Sequence, residues 1–230
     1  MAKKQTQVEK NLEQANQALS RTEQFIENNQ KNLLIGLTVV ILLVVAGLGL
    51  YHGYIVPREH EAETLIFKGQ NYFEQDSLQL ALNGDGIDYI GFEEINAQYS
   101  FTKTGKLAAA YAGLCYYRLG DKENALKFLK KYTPGDNLVE PYLAGLIGDC
   151  YLDTGNVNEG ISYFEAGAKQ ADNILVSPYL LKKAAIAYES IGKNDAALKC
   201  YTTIKEKYSQ SVEALDIEKY IERIRLSESK

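Results

Sequence analysis

Tryptophan is absent from the 230 residues, and histidine occurs only twice, cysteine three times, proline four times and methionine once. Three cysteines with no CxxC pair leave no disulfide scaffold and no zinc ribbon. Four prolines beside 18 glycines exclude a collagen-like chain. A basic excess is missing as well. Lys and Arg total 25 against 30 Asp and Glu, a net charge of −5, and the pI is near 5.3, whereas nucleic-acid binding leaves a basic footprint. No nucleophile or phosphate-binding motif is recognisable, so catalysis is thinly supplied. The remainder, 46% hydrophobic and 24% charged, is ordinary for a folded protein of one domain or two modest ones.

One absence is local. No Asp, Glu, Lys or Arg lies between Lys31 and Arg58, leaving an uncharged window from Asn32 to Val56. Leu33 to Leu50 holds Leu, Ile or Val at 13 positions, with Thr38 the one polar residue. As a helix the window spans about 37 Å, enough for a hydrocarbon core of about 30 Å. Its aliphatics favour insertion by roughly 6 kcal/mol. Tyr51 and Tyr54 stand where an aromatic belt belongs, and Pro57 ends the segment. A buried core helix would need protein on every side. A cleaved signal peptide is the stronger rival, but the stretch is long, starts only after residue 31 and is followed by no clear small-x-small cleavage site. The expectation is an uncleaved anchor wrapped in membrane lipid at residues 32–56. Within it Gly49-xxx-Gly53 allows close packing on another helix. Residues 1–31 carry a net charge of +1 and residues 57–230 a net of −6, which favours the tail inside and the large part outside. In the tail, Val8, Leu12, Ala15, Leu19, Thr22 and Ile26 follow a heptad stripe, read as a weakly amphipathic helix or as a short partner-binding seam.

Residues after 57 repeat themselves. A small residue, a Tyr three later and a Gly four after that recur as Gly113/Tyr116/Gly120, Gly148/Tyr151/Gly155 and Ala185/Tyr188/Gly192. Five residues beyond each Gly comes Ala125, Gly160 or Ala197, then four later Leu129, Phe164 or Tyr201. Two helices approach closely only where small side chains meet, with a large one filling the space beside the crossing. The Gly suits a helix end in left-handed backbone. Asn156 with Glu159 reads as a capping pair, and Ser177-Pro178 as an N-cap followed by the first helical position. Gly69, Tyr72 and Phe92 match a degenerate earlier unit, with extra residues around 81–86 expected as a loop. There Asp85 and Asp88 suit turn chemistry better than a calcium loop, which needs a regular run of oxygen ligands. Val212 to Leu226 reads as an amphipathic cap with Leu215, Ile217, Tyr220, Ile221 and Ile224 inward and its charged face outward.

This pattern, over about Leu107 to Ser209, resembles tetratricopeptide repeats. The expected fold is all-α: one N-terminal transmembrane helix, then a tetratricopeptide-repeat solenoid with a C-terminal capping helix. The expected divisions are a tail at 1–31, a transmembrane helix at 32–56, a degenerate first repeat at 57–106, three repeats at 107–209 and a cap at 210–230. Cys115, Cys150 and Cys200 are expected as small buried hydrophobes. His52 and His60 have no metal-ligand partner at helical spacing. No cofactor, metal or catalytic residue is expected.

The resemblance further implies a concave groove lined by fixed first-helix positions. These are Leu107, Ala110, Leu114, Tyr117 and Arg118; then Tyr142, Gly145, Asp149, Leu152 and Asp153; then Tyr179, Lys182, Ile186, Glu189 and Ser190. The Lys, Asn and Arg set that clamps a peptide carboxylate in relatives is missing. The mixture present suits sequence-tolerant contact with extended chains, and some of these tyrosines are open to a second reading as packing between repeats. The whole arrangement resembles the YfgM-like family of bacterial envelope proteins, and the run Tyr72-Phe73-Glu74-Gln75-Asp76-Ser77 through Gly91-Phe92 is similar to its Bacteroidetes-type variant. That likeness implies a non-enzymatic, single-pass inner-membrane protein with its N-terminus cytoplasmic and its C-terminal domain periplasmic. It implies the SecYEG translocon, a PpiD-like membrane chaperone and exported polypeptides as partners, and no nucleic acid. A structural adaptor in another envelope machine, for outer-membrane assembly, secretion or division, is the alternative.

Overall fold

The computed structural model describes residues 28–228, so the heptad stripe of the tail lies outside the described residues. All regular elements among these residues are helices. The chain divides into two compact units, at Val56 and Pro57.

Among its described residues the first unit holds helix α1 (28–50) and a π turn, Tyr51–Ile55. Among the described residues one helical stretch, Asn28–Glu74, is long and apolar enough to cross a membrane; its most apolar window has a mean hydropathy of 2.9 and is wholly unburied. The Thr38 hydroxyl donates to the Leu34 carbonyl at 2.8 Å, so the one polar side chain of the stretch is satisfied inside the helix. Gly49 sits in α1 and Gly53 in the π turn, each with open space where a side chain would stand.

The second unit is a stack of helical hairpins. Helix α2 (Val56–Glu74) is followed by the short α3 (Leu78–Asn83) and α4 (Phe92–Tyr99). Then come α5 (Lys103–Leu119) with α6 (Lys122–Leu129), α7 (Val139–Asp153) with α8 (Val157–Ala171), and α9 (Ser177–Ser190) with α10 (Asn194–Lys207). A 3-10 turn, Glu213–Asp216, leads into α11 (Ile217–Glu228).

The small residues govern the crossings. A Cβ on Gly113 would stand 2.6 Å from Leu129 Cγ, one on Gly69 would stand 2.6 Å from Phe92 Cε1, and one on Gly148 would strike the Phe164 ring. Ala185 and Tyr201, the matching pair of the third repeat, are both fully buried. Gly120, Gly155 and Gly192 all adopt φ between +71° and +83°, the left-handed helix ending that only glycine reaches without strain. Each repeat's tyrosine then ties its first helix back to the hairpin before it. Tyr116 bonds Glu93, Tyr151 accepts from Lys130 at 2.5 Å, and Tyr188 donates to Glu165 at 2.9 Å.

The cap is a first helix in register. Leu143, Leu180 and Ile217 recur at a spacing of 37, as do Ile147, Ala184 and Ile221, and all six are buried. Its outer side carries Glu218, Glu222 and Arg225 to solvent. Leu215, expected inward, is 85% exposed, because the tighter three-residue turn before α11 sets it on a different face from Ile217.

Three other local expectations shift. Asn156 does precede α8, but its side chain makes no cap bond; its amide donates to Thr154 Oγ1 instead. Ser177 is the first residue of α9 rather than its cap. Its hydroxyl donates to the Ala168 carbonyl, while Asn173 Oδ1 takes up the Leu175 and Val176 amides. The loop expected at 81–86 begins later, because one helical turn buries Leu78, Ala81 and Leu82 in α3.

Asp85 organises the loop that follows. Its Oδ1 accepts from the amides of Ile87, Asp88 and Tyr89, and its Oδ2 takes Tyr72 Oη at 3.0 Å and Lys68 Nζ at 2.6 Å. Lys68 and these amides hold the carboxyl far below the usual carboxylate range. A depressed folded pKa stabilises the loop fully above the unfolded value of about 4 and loses that contribution as pH falls below it. Asp85→Asn is therefore expected to speed amide exchange at Ile87 and Tyr89 at neutral pH, the gap from wild type narrowing as pH drops below about 4.

Candidate protein-interaction groove

The first helices α5, α7 and α9 follow one another along the stack, their buried faces (Ala108 and Ala112; Leu143 and Ile147; Leu180 and Ala184) entering three successive cores. The opposite face carries the positions expected to line a groove. Tyr142 and Ile186 are each 48% exposed. Leu107, Leu114, Tyr117, Leu152 and Tyr179 are half-buried, and Ser190 is exposed. Tyr142 and Tyr179 stack with centroids 6.5 Å apart. Ala110 and Gly145 are buried; a Cβ on Gly145 would stand 2.7 Å from Leu180 Cδ2, so these two let neighbouring helices close together.

Every charged residue expected in the groove has a partner of opposite sign. Arg118 pairs with Asp76 at 3.7 Å and lies over the Phe73 ring. Asp149 takes Lys183 at 2.6 Å, Asp153 takes Lys122 at 3.0 Å, Lys182 meets Asp216 at 2.8 Å, and Glu189 receives Arg223 at 2.7 Å. Burial pulls the Lys122, Lys182 and Lys183 ammonium groups toward lower pKa, yet their carboxylate partners prevail and leave all three raised. These side chains are struts between repeats, and together the pairs sum to zero charge. The partners Asp76, Lys122, Lys183, Asp216 and Arg223 were not expected at the site. A signal for three of them was present: Asp149–Lys183, Lys182–Asp216 and Glu189–Arg223 are each 34 residues apart. Equivalent positions of these first helices recur every 37, and three residues back is one helical turn on the same face.

The side chains that remain offer contact rather than chemistry. Cys115, Cys150 and Cys200 are buried and free. Burial pushes their thiols up to about 12, 11 and 11, so they stay protonated at neutral pH. Among the described residues no group of three or more His, Cys, Asp or Glu is placed to hold a metal.

Comparison with known proteins agrees with this architecture. The family described as Tetratricopeptide repeat matches residues 111–133 and 179–211. Among solved structures, the Q17M form of the nearly identical TPR-like repeats of a provisionally assigned kinesin light chain from Podosopora anserina superposes with a TM-score of 0.53. It shares 13% identity over 74% of this chain and 87% of that one. A thermophilic TPR protein of Thermus thermophilus gives a TM-score of 0.44 and 19% identity, over 80% of this chain and 95% of that one. No curated protein matches in sequence. Two segments of the chain thus match the tetratricopeptide repeat, and the described residues after 56 fold as an all-helical solenoid of that kind, an architecture that serves as a scaffold for protein–protein interaction.

Proposed function

We propose that this protein is a membrane-anchored, non-enzymatic scaffold with chaperone character, an ancillary subunit of the Sec translocon that meets polypeptides emerging outside the inner membrane. Residues 32–56 form the anchor, the tail stays in the cytoplasm and the solenoid faces the periplasm beside SecYEG and a PpiD-like chaperone. The observation that carries the reading is the self-neutralised groove. With its charges spent on neighbouring repeats, it meets a partner through Tyr142, Tyr179, Ile186 and Leu114, which favours apolar, sequence-tolerant contact over a charged tail. Covalent continuity from the anchor raises the effective concentration of the groove at the membrane. The resemblance around Tyr72 to Phe92, the uncharged helix and the charge bias of the tail support the placement.

Photocrosslinkers at Tyr142 and Ile186 in native membranes test it. The expected product is a ladder of exported chains, reduced about tenfold or more when Tyr179→Ala removes the stacking partner. One discrete band and no exported chains would overturn the reading in favour of an adaptor in another envelope complex.

A further inference from the structure

Helix α6 stops after eight residues, whereas α8 and α10 run for fifteen and fourteen. Pro134 blocks its extension and biases Thr133 to extended backbone, and Gly135 turns at φ +78°. Where the missing helical turns would lie, three cavities of about 460, 270 and 560 Å³ adjoin one another, and Thr133 lines all three. Their apolar walls include Leu107 and Pro134 in the first and Leu143 and Tyr163 in the second.

Lysines surround this cleft. Lys103 and Lys106 line the first cavity, and Lys130 and Lys131 the third. Among the described residues none of the four has a carboxylate at ion-pair distance, unlike the lysines of the groove. Lys130 Nζ meets Tyr151 Oη at 2.5 Å and Lys131 Nζ donates to Asn96 Oδ1 at 2.7 Å, both neutral oxygens. Nearby carboxylates are engaged by backbone. Glu140 accepts from the Gly135 amide, Asp136 from Leu138 and Val139, and Glu59 from Lys103 and Thr104. Four lysines without a direct ion pair thus gather against three carboxylates held by backbone amides, a local positive excess on a chain of net charge −5.

We infer that the cleft opened by the short α6 is a second docking site, which takes an acidic, extended segment of a partner polypeptide carrying apolar side chains between its carboxylates. Charge complementarity selects the acid. The apolar walls of the first two cavities select the peptide: a phosphate or lipid headgroup engages the lysines but leaves the space at Leu107 and Tyr163 unfilled. The site shares Leu107 alone with the groove positions, and its lysines and its other walls lie outside them.

The test uses the full chain in nanodiscs of neutral lipid and a fluorescent decapeptide of alternating glutamate and leucine. Saturable binding that weakens as salt rises is expected. Replacing Lys103, Lys106, Lys130 and Lys131 together by alanine lowers affinity on the order of thirtyfold. Thr133→Trp, which sets an indole where the three cavities meet and leaves every charge in place, lowers it about tenfold. Lys199→Ala, an exposed lysine elsewhere, leaves it unchanged. Circular dichroism confirms that each variant is folded. Equal binding of a glutamine–leucine peptide would overturn the charge argument. Equal binding of a polyphosphate of matching charge, untouched by Thr133→Trp, would make the patch a phosphate or headgroup site and overturn the peptide assignment.

Discussion

Phe164→Ala is expected to lower the stability of the second repeat by about 3–5 kcal/mol, the usual cost of truncating a fully buried phenylalanine. Phe164 is 0% exposed, and its ring occupies the space that a side chain on Gly148 would claim. Removing it leaves a void at the α7–α8 crossing, where the facing glycine has no atoms to fill the gap. Because stability in repeat arrays passes between neighbours, the loss also loosens α9, whose Leu180 shares the same core. Denaturant titration of the full chain in micelles, with amide exchange to locate the change, measures it. The geometry supplies a sharper check. Gly148→Leu alone overpacks the crossing and destabilises by about 1–3 kcal/mol, whereas Gly148→Leu combined with Phe164→Ala returns volume from the other side. The double variant should be more stable than Phe164→Ala alone. A double variant worse than either single one would mean that the two residues do not share one space.

Asp149→Ala is expected to cost about 2–4 kcal/mol of stability, because it strands Lys183 in a partly buried site. The pair is short, at 2.6 Å, with side chains only 25% and 19% exposed, and the Lys183 ammonium also sits over the Tyr179 ring. Replacing both residues together, Asp149→Leu with Lys183→Met, should restore most of the loss, since an apolar pair of similar size avoids the desolvation that the ions incur. The Lys183 pKa is raised on folding. Its contribution is therefore complete below the unfolded value of about 10.4 and disappears as pH climbs through the folded one. The Asp149→Ala deficit should shrink correspondingly above about pH 10.4. A groove carboxylate that served a ligand would behave otherwise: its removal would weaken partner capture and leave the unfolding midpoint in place.

These residues show where sequence reasoning succeeds. Gly148 and Phe164 are legible because close helix approach demands a small residue and a filler at fixed separations, and because the demand recurs three times. Gly120, Gly155 and Gly192 are legible because positive φ leaves few alternatives. The groove charges are harder to read. Asp149 and Lys182 occupy positions that point away from the core, but whether each is free depends on a partner one repeat away, and only a search at 34 residues discloses it. The α6 terminus is harder still. Lys130, Lys131 and Tyr132 all tolerate helix, and the break comes from Pro134, which constrains the residues before it. Local caps were the least legible. Asn156 and Ser177 have side chains of the right type, but Asn156 bonds Thr154 within its own turn and Ser177 bonds the Ala168 carbonyl of the preceding helix.

The C-terminal helix repeats the 37-residue register of the first helices before it and then presents Glu218, Glu222 and Arg225 where another second helix would dock. It is a half-unit that stops growth of the array. A copy of residues 174–210 inserted ahead of it would meet matching surfaces on both sides, so the rod can be lengthened in whole steps without exposing an adhesive end that would string molecules into fibres.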